Sequence, residues 1–266
     1  MLAVMFVSIT AAARVRSVHH STSIVTPRAV LWIGAHPDDE AVIAPLLASW
    51  CRDQNARCGM LILTRGEAAA CLKPEGCSPN VATVRSAEAG AASQYFNAEC
   101  VLLALPDGGG IMPPTWSLVG RTDTARTLAA YIAAFAPEII ITFDPRHGTT
   151  CHPDHRAAGS IVMEAAAAVS PRPEVYFVET RISITANPTV IHFTSASPAV
   201  ERYDANTILN STQEPAWNAI IDDMQHHGSQ FDAAFVDAIR NVPYAERFVY
   251  IAKAESILSG RVFTCP

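Results

Sequence analysis

The sequence predicts an α/β fold, a Rossmann-like open and mostly parallel sheet with helices on both faces and a smaller C-terminal cap region. Three observations point there: short apolar runs rich in strand formers, helix-like stretches that alternate with them, and a change of pattern after Glu179. The first run, AVLWIG from Ala29 to Gly34, ends where AHPDDE begins. CGMLILT (Cys58 to Thr64), CVLLAL (Cys100 to Leu105), EIIITF (Glu138 to Phe143) and EVYFVE (Glu174 to Glu179) have the same character. Lacking polar alternation, such runs suit strands buried on both faces of a parallel sheet. Between them, Ala41 to Trp50, Val81 to Phe96, Asp123 to Phe135 and His155 to Val169 read as helices, several of them alanine-rich. Past Glu179, β-type pieces around Ile182 to Ile184 and Val190 to Phe193 precede expected helices near Ala216 to His226 and Phe231 to Ile239. These make up the predicted cap.

With 266 residues, half of them hydrophobic, the chain is long enough for one large core, and residues 29–266 read as a single domain behind a leader at 1–28. Charged residues are 17% of the total, the formal net charge is -6 and no block of lysines or arginines occurs. That pattern argues against a nucleic-acid partner and for a small or neutral substrate. No apolar run reaches the roughly 18–20 residues that span a bilayer, so no integral membrane segment is expected. The opening MLAVMFVSITAAARVRS has an apolar centre and a small-residue AAA, but its arginines follow the apolar run instead of preceding it. A plain leader and a cleaved signal segment both remain open. None of the seven cysteines falls in a C-x-x-C pair, which excludes the usual structural zinc pattern. Cys71 and Cys77 bracket a short LKPEG turn; a disulfide there suits export and two thiols suit the cytoplasm, so localisation stays open between the two.

Ligands of open α/β sheets bind beyond the carboxyl ends of the strands, which is where AHPDDE sits. His36 and Asp39 supply an imidazole and a carboxylate three residues apart, and Asp38 between them is left free. The string HGTTCHPDHRAAG follows the strand ending at Phe143 and offers His147, His152, Asp154 and His155 to the same edge. One histidine from it completes a two-His, one-carboxylate set, which suits zinc or iron(II) and leaves room for a water. Singly, a histidine is more often a packed residue and an Asp-Asp pair a solvated turn. Two such strings on two strand ends make the functional reading the stronger one.

At these residues the chain resembles the PIG-L/LmbE-like N-acetylglucosaminyl deacetylase family, whose two signatures are the AHPDDE and HPDH strings. Further matches are TRGE at Thr64 to Glu67, Arg85 with Glu88, LPDG at Leu105 to Gly108 and HGSQ at His227 to Gln230, over roughly residues 29 to 240. The resemblance implies a zinc-dependent hydrolase that removes an N-acetyl group from an N-acetylglucosamine-type amino sugar. It implies that His36, Asp39 and His155 bind the metal, that Asp38 is the general base, and that His152 stabilises the oxyanion with Asp154 orienting it. Arg85 and Asp107 match positions that contact the sugar. Near Thr150 the chain departs from the family, where some sugar-specific relatives carry a tyrosine over the site. Two other readings are a hydrolase of another amide, such as an acylated glycoside, and a carbohydrate-binding protein without catalysis.

Other features have bland readings of equal standing. Arg65 and Glu67 can line the crevice or simply form a turn; Arg85 and Glu88, i and i+3 on a helix, can be a surface ion pair. LPDGGG is a good turn by composition. His226, His227 and Gln230 lie at an expected helix junction and read as structural. His147 and Asp144 are expected to support metal ligands without being ligands.

Overall fold

All five apolar runs form strands in a computed structural model, which describes residues 26–110, 113–185, 189–197, 200–257 and 265. All but residues 26–28 of the expected leader lie outside the described residues. The strands β1 (Ala29–Gly34), β2 (Arg57–Thr64), β3 (Ala98–Leu105), β4 (Ile139–Phe143) and β5 (Glu174–Val178) run parallel in the spatial order β3-β2-β1-β4-β5. Their side chains alternate between two cores, one on each face: in β1, Val30 and Trp32 enter one, Leu31 and Ile33 the other. Both faces being covered, the sequence shows continuous hydrophobicity instead of alternation. At the edge, β3 is only half-buried.

The helices in chain order are α1 (Ala44–Leu47), α2 (Val81–Tyr95), α3 (Thr115–Leu118), α4 (Arg121–Phe135), α5 (Gly148–Cys151), α6 (Pro153–Ala167), α7 (Asn218–His226), α8 (Ala233–Arg240) and α9 (Ala254–Ile257). Leu128 and Ile132 of α4 pack with Ile161 and Val162 of α6 on one face. Leu46, Trp50 and Ala89 share the other face with Ile220 and Met224 of α7 and Val236 and Ile239 of α8. The helix expected at 41–50 is instead a relay: a 3-10 turn at Asp39–Ile43, then α1, then a π-type segment at Ala48–Asp53. Pro45, in the first turn of α1, has no N–H to continue a ladder from the preceding turn, so the helix restarts there.

The C-terminal region is only partly the expected cap. Strands β6 (Thr180–Thr185) and β7 (Val190–Ser195) form a separate hairpin. By contrast, β8 (Glu201–Asp204) and β9 (Phe248–Lys253) return to the main sheet and extend it antiparallel in the order β5-β9-β8. FVYIAK reads as a strand by composition, yet its partner β5 lies some seventy residues back, a pairing no local pattern specifies. Three disulfides fasten the chain: Cys51–Cys58, Cys71–Cys77, where the sequence left a disulfide and two thiols open, and Cys151–Cys265. Cys100 is the one free thiol among the described residues. No helix among the described residues is long and apolar enough to cross a membrane.

The sheet order reverses direction at β1 and β4, adjacent strands whose following loops diverge and leave a crevice at their carboxyl ends. AHPDDE leaves β1 into that crevice and the His-rich string leaves β4 into it. Gly159 sets how closely α6 can approach: a Cβ there would lie 2.0 Å from the Phe143 carbonyl oxygen and 2.9 Å from its carbon. Alanine raises intrinsic helix stability by about 1 kcal/mol, but the contact is with main chain, which cannot step aside as a flexible side chain can. Gly159→Ala is therefore expected to destabilise the fold by roughly 1–3 kcal/mol, read as a lower denaturation midpoint. A midpoint at or above that of the wild type would show that α6 has slack against β4.

Candidate active site

The chain turns sharply after β1. Asp38 takes φ 102°, a left-handed conformation that Asp and Asn tolerate better than other side chains. The turn brings the Asp39 carboxylate back over the strand end, where its Oδ2 accepts the Ala35 and His36 amides at 2.8 Å each. Oδ1 is left free to face His155 Nε2 at 2.9 Å. On the β4 side, His152 caps α6: its Nδ1 accepts the Asp154 amide at 3.2 Å, and Pro153 opens the helix. Accepting at Nδ1 puts the ring proton of His152 on Nε2. His155, one turn into α6, donates Nδ1–H to the Gly148 carbonyl at 2.9 Å, and its ring stacks on Phe143 at 4.1 Å. Ring nitrogens of His36, His152 and His155 all lie within 4.8 Å of one another.

This donor set fits a divalent cation. Histidine ligands of metals nearly always have their second nitrogen held by a carboxylate or carbonyl. His36 Nε2 lies 3.2 Å from Asp154 Oδ2 and 3.5 Å from Asp107 Oδ1, while its Nδ1 is 3.7 Å from Asp39. With Nδ1 of His155 taken by Gly148, the remaining nitrogens of both imidazoles converge on Asp39. Electrostatics agree. Burial disfavours an imidazolium at His36, yet its hydrogen bonds to the carboxylates of Asp107, Asp154 and Asp39 lift its pKa well above the ordinary value. Burial also works against the Asp39 carboxylate, but His155 and His36 hold its pKa well below the usual range. Asp154 Oδ1 is buried without a hydrogen-bond partner. A site holding three carboxylates around one buried imidazole is short of positive charge, which a bound cation would supply.

Asp38 stands beside this cluster with its own partner. Arg85 Nη2 is 2.8 Å from Asp38 Oδ2, and the same guanidinium donates to the carbonyls of Pro37 and Gly66. Arg85 is only 3% exposed. Arg85 thus lies against Asp38 and also lines the polar pocket beside it. Burial above all pushes the Asp38 pKa up to about 6, against the Arg85 charge and with a contribution from Asp39. The His152 pKa is pushed down to about 4, chiefly by burial and then by the charges of His155 and His36. His152 accordingly enters the site as a neutral Nε2–H donor. Asp154 meets it through the main-chain amide and turns its carboxylate to His36 and to the Gly108 amide, 2.9 Å away.

Asp107 lines the polar pocket with Arg85, His152 and Gln230. Its two oxygens accept the Gly109 amide at 2.9 Å and the Ala68 amide at 3.1 Å. Burial raises its pKa, but His36 and these amides outweigh burial and lower it. Glu67 is exposed and accepts the Asp107 amide at 3.0 Å, so TRGE braces the neighbouring loop. Glu88 does not pair with Arg85: its carboxylate takes Lys73 Nζ at 3.0 Å and both the amide and hydroxyl of Ser229. His147 and Asp144 form a buried cluster with Glu179, His147 Nε2 lying 3.7 Å from Asp144 and 3.5 Å from Glu179.

One residue the sequence reading missed is Glu40, the last of the HPDDE string. It is fully buried; one oxygen accepts the Asp38 amide at 3.2 Å and the other meets His227 Nε2 at 2.7 Å. Burial opposes charging of His227, but Glu40 lifts its pKa to about 9, which makes this a buried ion pair behind Asp38. The available signal was a charged residue directly ahead of an apolar stretch, AVIAPLL, that has to pack.

The model of the family described as PIG-L, GlcNAc-PI de-N-acetylase, matches residues 31–166. A 1D-myo-inositol 2-acetamido-2-deoxy-alpha-D-glucopyranoside deacetylase from Kineococcus radiotolerans is 28% identical over 154 residues, which are 48% of this chain and 42% of that protein. The match thus spans less than half the length of that relative. Among solved structures, N,N'-diacetylchitobiose deacetylase from Pyrococcus horikoshii superposes with a TM-score of 0.57 at 15% identity, covering 89% of this chain and 87% of the other. The 4-carboxy-2-hydroxymuconate hydratase of Pseudomonas putida superposes with a TM-score of 0.54 at 16% identity, covering 90% and 99%. Deacetylase and hydratase alike show the fold; the family match, which spans both signature strings, says more. The chain belongs to the PIG-L/LmbE-like deacetylase family.

Proposed function

We propose that the protein is a divalent-metal hydrolase, with zinc the best-suited ion and iron(II) the next, that removes the N-acetyl group from an N-acetylglucosamine-type amino sugar or its conjugate. The observation that carries this reading is the pair of imidazoles, His36 and His155, each with its outer nitrogen already held and its inner one aimed at Asp39. Those three residues would hold the ion. When bound, such an ion acidifies a water toward neutrality and polarises the acetamide carbonyl.

The rest falls to the chain's own groups. Asp38, beside the ligands and held by Arg85, accepts a proton from the attacking water and returns it to the sugar nitrogen as the carbon–nitrogen bond breaks. His152 donates Nε2–H to the carbonyl oxygen as charge builds on it. Arg85 and the Glu40–His227 pair position Asp38. Asp107 retains lone pairs toward the polar pocket and accepts a sugar hydroxyl. Acetate and a free amine leave. Residues 29–266 act as one catalytic unit, and its three disulfides suit an oxidising compartment.

Because a hydratase shares the fold, the test must read the bond broken. Incubating the metal-reconstituted chain with a panel of N-acetylglucosamine conjugates is expected to release acetate and primary amine in equal amounts. Chelation should stop the release and zinc or iron(II) restore it. Intact amides across the panel at full metal occupancy would overturn the reading.

A further inference from the structure

The structure carries a second cavity at the same centre, and we propose that it is an acyl-chain pocket: the amide cleaved here bears a linear acyl group of up to about six carbons, not acetyl alone. This inference rests on the amide-hydrolase reading above and deepens it. Two cavities meet at Asp38, Asp39 and His155. The first, about 300 Å³, is the polar pocket of Arg85, Asp107, His152 and Gln230. The second, about 200 Å³, is walled by Val42, Phe143, Ile184, Phe193, Met224 and Phe235, with Thr149 and Thr150 its polar members beyond the shared residues.

Geometry assigns the two sides. The scissile carbonyl must lie at the shared residues, since the base and the ligands are there. A polyhydroxyl sugar on the nitrogen side needs several hydrogen-bond partners, which the first cavity supplies through Arg85, Asp107, His152 and Gln230, whereas the second adds only two threonines to an apolar wall. The acyl side then faces the second, whose Phe143 wall stacks directly on the His155 ring. An acetyl methyl leaves most of that space unfilled. At close to the ~30 Å³ a water takes in the liquid per methylene, it holds about six chain carbons. Its outer walls come from the β6–β7 hairpin and from α7 and α8, beyond the residues 31–166 that match the family. Half of the pocket's lining thus comes from the part of the chain that the family match does not cover.

The test is a series of N-acetyl, N-butanoyl, N-hexanoyl and N-decanoyl glucosamine, assayed for amine release by the metal-loaded protein. Burying each methylene is expected to raise kcat/KM by up to about fourfold, with a maximum near hexanoyl and a fall at decanoyl. Acetyl hydrolysis with flat or declining rates along the series would overturn the pocket and leave the deacetylase standing. No release from any member, acetyl included, would overturn both. Ile184, 55% exposed on the hairpin, is the position at which to fill the cavity without disturbing the core. Ile184→Trp is expected to lower the hexanoyl-to-acetyl ratio of kcat/KM at least about tenfold, the loss of two methylenes' worth of burial. An unchanged ratio would overturn the placement of the chain.

Discussion

Replacing Asp38 by Asn is expected to lower kcat/KM by roughly 10²–10⁴-fold while metal content stays near stoichiometric and the fold is kept. Asn is the informative choice over Ala for two physical reasons. At φ 102° a residue without a short polar side chain is strained, and Asn is among the few that adopt it readily. Arg85 is buried against Asp38, and truncation to Ala would strip a buried charge of its partner, a loss of about 3–5 kcal/mol that would confuse a folding defect with a catalytic one. Asn keeps an oxygen for the guanidinium to hydrogen-bond, while it loses the carboxylate's charge and with it the ability to take a proton. Measured side by side, metal content by elemental analysis and turnover by amine release separate the alternatives. Metal lost in proportion to activity would make Asp38 a ligand, and activity retained would place the base elsewhere.

Much of this site is legible in the sequence because parallel strands deliver their following loops to one edge. AVLWIG and EIIITF are recognisable as doubly buried strands from composition alone, and the residues after them must share a crevice if the two are neighbours. They are, with Trp32 opposite Ile141. What is not legible depends on pairing across distance. Nothing local marks β9 as a sheet strand beside β5, or Cys265 as the partner of Cys151 across 114 residues. Cys71 and Cys77, six apart around a turn, are a pair that spacing alone brings into reach.

The roles of charged residues are the least legible. Arg85 and Glu88 share a helix spacing that suggests a mutual ion pair, and both are buried in separate partnerships instead: Arg85 with Asp38, Glu88 with Lys73 and Ser229. Glu40 looks like one more acid in an acidic string. Its function comes from His227, 187 residues away, which converts a costly buried carboxylate into half of a pair that grips the Asp38 amide. The HGSQ segment earlier assigned to structure is therefore structural in a specific way: His227 and Ser229 clamp the two acids that flank the proposed base and its arginine.

His155→Ala should abolish tight metal binding and activity together, and it does so for reasons that differ from those at Asp38. Of the proposed ligands, His155 has the most completely determined placement: Nδ1 is held by the Gly148 carbonyl, one ring face lies on Phe143, and Nε2 points at Asp39. Removing it would leave His36 and Asp39 as a two-group site, one short of the three protein ligands that catalytic zinc sites use beside their open position. A readout independent of turnover is available, because a ligand that binds only the folded state stabilises it by about 2.7 kcal/mol at a hundred times its Kd. Wild-type protein should melt higher as zinc is added, and the variant should show no zinc-dependent shift while unfolding cooperatively on its own. The metal-free wild type sets the comparison, since its surplus of carboxylates around His36 is what a cation would relieve. Full occupancy and an undiminished shift in the variant would mean that His152, whose ring nitrogen lies within 4.8 Å of the others, has taken the ligand position. Its role as oxyanion donor would then have to be withdrawn.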